Sequence, residues 1–85
     1  MKITFSPTMT WSVDRASMLL YARADGKSTL CVVSQEVLTA PFAECLTEET
    51  ARAIFHKRKS EIEACLEARI REGTFDSNGE IILLP

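Results

Sequence analysis

Apolar and polar residues recur along this chain with two different periods, and each period predicts a different element. Lys2–Phe5 alternates polar and apolar with β-branched Ile3 and Thr4, so a short strand is expected there, ended by Pro7. Ser6–Arg15, with Pro7, several hydroxyl side chains and Trp11, reads as a loop that tucks the indole against the fold. Met18–Arg23 and Lys27–Ser34 are apolar runs on either side of Asp25-Gly26. Asp-Gly between two such runs is a strong hairpin signal, because Gly supplies the positive φ of a type I′ turn. Counting outward from that turn pairs Ala22 with Thr29, Leu20 with Cys31 and Met18 with Val33 on one face. The other face pairs Tyr21 with Leu30 and Leu19 with Val32. Neither face is polar. One is expected to meet helices, and the other to be covered by something else.

The period then changes. Ser34 is placed to cap a short helix over Gln35–Thr39, with Glu36 in its first turn and Pro41 as its stop. Thr47 caps a second helix, followed by Glu48 and Glu49, and the helical pattern runs to Glu72 with Gly73 just beyond its end. Ala51, Ile54, Phe55, Arg58, Ile62, Cys65, Leu66, Arg69 and Ile70 fall on one stripe at spacings of three and four. About 25 residues at ~1.5 Å each give a helix of roughly 37 Å, while a domain of this length has a radius of gyration near ~12 Å. Such a helix must overhang its sheet or bend. Asp76-Ser77-Asn78-Gly79 is a turn, and Glu80–Leu84 is a final strand, apolar after Glu80 and therefore expected to be central or buried on both faces.

The order β-β-β-α-α-β predicts one α+β domain over residues 1–85. It is a two-layer sandwich whose mostly antiparallel sheet of three to four strands carries one short and one long helix on one face. A domain this small buries only about 60–65% of its unfolded surface, so an apolar face left over is a candidate partner surface. The apolar runs fall far short of the ~20 residues of a membrane span, and no charged segment followed by a long apolar stretch marks a leader. Three cysteines, Cys31, Cys45 and Cys65, form no CxxC and cannot all pair with one another. They are expected as reduced thiols among apolar neighbours in a cytoplasmic protein.

Chemistry is sparse. His56 is the sole histidine, and Cys65 stands nine residues further along the same helix, about 13 Å by helical rise. No metal set, nucleophile–base pair or phosphate loop is present, so neither an enzyme nor a cofactor is expected. Lys57, Arg58 and Lys59 form a basic patch able to hold an anion or a nucleic-acid phosphate. Against that stand the neighbouring glutamates, which read as an ion-paired solvated face, and a net charge of −2, which is not the footprint of a nucleic-acid binder. Arg58 lies on the apolar stripe and needs a carboxylate or carbonyl partner; Asp14, Asp25 and the chain terminus are candidates.

The string Asp25-Gly26, Cys31, Val33, Ser34 and Leu38, followed by Phe55, Arg58, Ile62, Cys65, Ile70, Gly73 and Gly79, resembles a small bacterial family, the domain of unknown function numbered fourteen eighty-eight. The resemblance spans roughly Met18 to Leu84 and rests on core and turn positions. It implies a two-layer α/β sandwich and favours Leu20, Ala22, Cys31 and Val33 as core-facing; it carries no activity, cofactor or ligand. Members often continue past the last strand with polar and acidic residues, whereas this chain stops at Pro85, so no role is expected of such a tail. The expected function is a cytosolic interaction or regulatory module that self-associates through Leu19, Tyr21, Leu30 and Val32. The alternative is a weak anion or nucleic-acid binder using Lys57, Arg58 and Lys59.

Overall fold

The computed structural model describes residues 2–39 and 47–83. The expected helix stop at Pro41 and the thiol of Cys45 lie outside the described residues. Four strands and three helices follow in the order β1 (Ile3–Ser12), β2 (Ser17–Ala24), β3 (Lys27–Ser34), α1 (Gln35–Thr39), α2 (Glu48–Lys57), α3 (Lys59–Glu72) and β4 (Ile81–Leu83). The strands form one sheet in the order β1-β2-β3-β4. The first two pairings are antiparallel and the third is parallel.

The β2–β3 hairpin has the register that its turn dictates, with Ala22 opposite Thr29, Leu20 opposite Cys31 and Met18 opposite Val33. Asp25 and Gly26 have φ of 51° and 81°, the double positive φ of a type I′ turn, whose twist matches that of the flanking strands.

Three elements depart from expectation. Pro7 does not end the first strand, and Ser6–Ser12 is strand rather than loop. Phe5 pairs with Ala22 and Met9 with Leu20, so Ser6, Pro7 and Thr8 together oppose the single residue Tyr21. The bulge accommodates a proline with no N–H to donate. Because it adds an even number of residues, Ile3, Phe5, Met9 and Trp11 all keep to one face. The single long helix is broken at Arg58, whose φ of −107° and ψ of 15° leave the helical basin. A straight rod of ~37 Å would exceed the longest dimension of the molecule, 34 Å; the break keeps Phe55, Ile62, Leu66 and Ile70 on the core. Finally, β4 is an edge strand parallel to β3, not a central one. The chain returns to it through the helical layer, and such a crossover delivers a parallel strand.

The core lies between one sheet face and the helices. Met18, Leu20, Ala22, Cys31, Val33, Ile81 and Leu83 from the sheet meet Leu38, Ala51, Phe55, Ile62, Leu66 and Ile70. Trp11 plugs the same layer from β1. Cys65, placed on the apolar stripe by its spacing, is exposed instead: the buried residues of α3, Ile62, Leu66 and Ile70, recur every four, and Cys65 lies about 100° of helical turn from Leu66. Gly73 ends α3 with φ of 73°, and the Thr74 and Gly73 amides donate to the carbonyls of Arg69 and Ile70 at 3.2 and 3.1 Å.

Candidate functional site

The register of the four strands lays out the sheet face opposite the helices as four rows. One end is a hydroxyl row, Ser12–Ser17–Ser34. Next comes Thr10–Leu19–Val32–Ile82, then Tyr21–Leu30, and last a polar row, Thr4–Arg23–Ser28. Two apolar rows are therefore framed by two polar ones. The alternation of β2 and β3 puts Leu19, Tyr21, Leu30 and Val32 here, while their chain neighbours go to the core.

These four residues are brought together as one patch, but their exposure differs. Tyr21 is 56% exposed and Val32 only 3%. Leu19 and Leu30 lie between. Val32 stands outside the helix-side core and is flanked by Leu19 on β2 and Ile82 on β4. Tyr21 is open because the bulge of Ser6, Pro7 and Thr8 leaves it without a directly opposed residue on β1. The same bulge makes a shallow depression of about 320 Å³ beside it, walled by Phe5, Ser6, Tyr21 and Arg23. Ile82 extends the patch and was not singled out by sequence; only the parallel register of β4 reveals it.

The buried hydroxyls of the framing row are all satisfied internally. Ser17 Oγ donates to the Arg15 carbonyl at 2.8 Å, and Ser34 Oγ accepts from the Val37 amide at 3.3 Å, the capping bond expected of it. Arg15 Nη2 donates to Glu80 Oε1 at 3.0 Å, tying the β1–β2 turn to the residue entering β4.

The basic candidates lie at the break between α2 and α3. Lys57, the last residue of α2, and Lys59, the first of α3, are both exposed, on either side of the break. Arg58 points inward along the protein. Its Nη1 donates to the carbonyls of Val37 and Leu38 at 2.8 and 3.0 Å, while Nη2 and Nε donate to Glu61 Oε1 and Oε2 at 3.0 and 3.3 Å. The partners are thus two carbonyls near the end of α1 and a glutamate one turn on, in place of Asp14, Asp25 or the terminus. The hydrogen-bonded Glu61 raises the Arg58 pKa, and Arg58 in turn holds the Glu61 carboxyl below its ordinary range. Chemically this is a clamp: it satisfies carbonyls that a helix end leaves without partners.

His56 is exposed in the last turn of α2, with its ring edge-on to Phe55. Cys31 is buried, and desolvation pushes its thiol up to about 11. Among the described residues, no three His, Cys, Asp or Glu side chains are close enough to hold a metal. No described helix is long and apolar enough to cross a membrane.

A sequence profile described as a protein of unknown function, DUF1488, matches residues 3–83. A crystal structure of a DUF1488-family protein of unknown function from Shewanella loihica PV-4 superposes with a TM-score of 0.86 at 29% identity, covering 95% of this chain and 90% of that one. No protein of curated function matches the chain.

Proposed function

The chain belongs to the DUF1488 family of proteins of unknown function, and on that premise we propose that it is a non-enzymatic interaction module of the cytosol that acts as a homodimer through its open sheet face. The observation that carries this reading is Tyr21, 56% exposed in the midst of an apolar patch, while the buried residues of all three helices are committed to the opposite face. Exposed aromatic side chains amid aliphatic ones are the composition of interface centres.

The area sets the strength. Strands of eight residues are about 26 Å long, and four strands at ~4.8 Å span about 19 Å. Because β4 has only three residues, the face offers about 400 Å² per copy, and two copies bury about 800 Å², below the ~1,200 Å² of stable interfaces and in the range of weak, transient ones. A weak dimer that dissociates on dilution is expected. Light scattering across a dilution series tests it: the mass should move from 9.5 kDa toward twice that value with concentration. Tyr21→Arg should hold the protein at the lower mass with unchanged circular dichroism. A wild-type mass that stays at 9.5 kDa up to about 1 mM, where even weak partners associate, sinks the reading.

For the alternative, an anion held by Lys57, Arg58 and Lys59, the structure leaves the two lysines open and Arg58 engaged. Retention on phosphocellulose at low salt, abolished in Lys57→Ala/Lys59→Ala, would favour it.

A further inference from the structure

The open face carries charge unevenly, and this bears on how a second copy can sit on it. At the β2–β3 turn end stand Lys2 and Arg23 with Asp25, two positive charges against one negative; Lys27, opposite Ala24, falls on the helix side. At the β1–β2 turn end, Arg15 is matched by Glu80, and Asp14 remains. Among the described residues none of Lys2, Arg23 and Asp14 takes part in an ion pair, and all three are exposed. One end is thus positive and the other negative, with the two apolar rows between them.

A symmetric dimer of stacked sheets has its twofold axis in the plane between them. If the axis runs along the strands, like ends meet, and the Lys2–Arg23 end of one copy lies over the same end of the other. If the axis runs across the strands, each positive end lies over the negative end of the other copy. The second arrangement also brings Tyr21 of one sheet over the half-buried Leu19 of the other, so the exposed ring packs on an aliphatic side chain rather than on its own image. Electrostatic complementarity at an interface rim selects orientation more than it adds affinity.

We propose that two copies of this chain stack face to face with their strands antiparallel, the Lys2–Arg23 end of each over the Asp14 end of the other. The proposal rests on the homodimer reading above and adds its geometry.

The test is sedimentation equilibrium of wild type, Arg23→Glu, Asp14→Lys and the double variant, at low ionic strength and again in about 0.5 M salt. Both positions concerned are on the surface, and circular dichroism confirms that each variant is folded. Each single reversal should weaken the dimer about five- to tenfold at low salt, since the symmetric contact occurs twice. The double reversal should return to within about twofold of wild type. Salt should compress these differences, because exposed charges are screened within a few ångströms at that strength. A wild-type dimer whose affinity is unchanged or improved by Arg23→Glu, or a double variant weaker than either single, overturns the orientation and leaves the interface standing. A wild type that is monomeric throughout overturns both.

Discussion

The two faces of this sheet are built from alternate residues of the same strands, yet they have opposite fates. Met18, Leu20 and Ala22 are at most 2% exposed, whereas Leu19 and Tyr21 between them stay accessible. The side chains are chemically alike. What separates the faces is the helical layer: Phe55, Ile62, Leu66 and Ile70 all project onto one side. Apolar character on a strand therefore says that burial is favourable without saying what will bury it. In most two-layer domains the second face is polar and the distinction is hidden. Here it is apolar, with Tyr21 exposed although Val32 is buried, and that makes the outer face the informative one.

Truncating each face in turn gives the sharpest contrast. Leu66→Ala, on the helix side, should lower stability by about 3–5 kcal/mol through the cavity it leaves. Leu30→Ala, on the open side, should cost the monomer under ~1 kcal/mol. Urea unfolding of both variants at low protein concentration checks this; equal losses would mean that the outer face is covered in the monomer too.

The buried thiol offers a second contrast. Cys31 faces the helices with its pKa raised from 9.0 to about 11. Above the unfolded value the unfolded chain releases this proton and the folded one retains it, so stability present below pH 9 falls as pH rises through 11. A raised pKa of this size corresponds to about 2–3 kcal/mol. Cys31→Ala should flatten the alkaline limb of a pH series of thermal melts. At pH 8 a thiol reagent should modify the exposed Cys65 well before Cys31.

A smaller effect separates Arg58 from its basic neighbours. Arg58→Ala strands the Val37 and Leu38 carbonyls and should cost about 1–2 kcal/mol, while Lys57→Ala should stay within ~0.5 kcal/mol. Denaturant midpoints compare the two. If Arg58 acts chiefly as a ligand contact, its removal will leave stability intact.

The smallest effect lies at the end of the sheet. The β2–β3 turn places glycine where φ is positive, but the β1–β2 turn holds Ala16 at φ of 47°, donating to the Val13 carbonyl and accepting from the Gln35 amide. Ala16→Gly should relieve a left-handed alanine and raise stability by up to ~1 kcal/mol, read as a higher melting temperature.

Much of the candidate face could be read before any coordinates. The Asp25-Gly26 turn sets its own register over two residues, so Leu19, Tyr21, Leu30 and Val32 could be placed on one side by counting. Ile82 could not, because its register against β3 depends on a partner some fifty residues away in the chain. The exposure of Tyr21 could not either, since it follows from a bulge opposite it, and Pro7 signals an interruption without saying whether the strand resumes. The Arg58 break carries no Pro or Gly. What accompanies it is tertiary: two carbonyls of α1 lie within reach of the guanidinium.

The sequence by itself determined the α+β class, the hairpin and its pairing, the helix caps at Ser34, Thr47 and Gly73, and an apolar character on both sides of β2 and β3. Each of these depends on interactions across a few neighbouring residues, or on a periodicity that any helix or strand must obey. Tertiary structure alone decided the bend at Arg58, the continuation of β1 beyond Pro7 and the parallel edge position of β4. Those choices turn on which surfaces can be buried together, and burial is settled by the whole chain at once rather than by any segment of it.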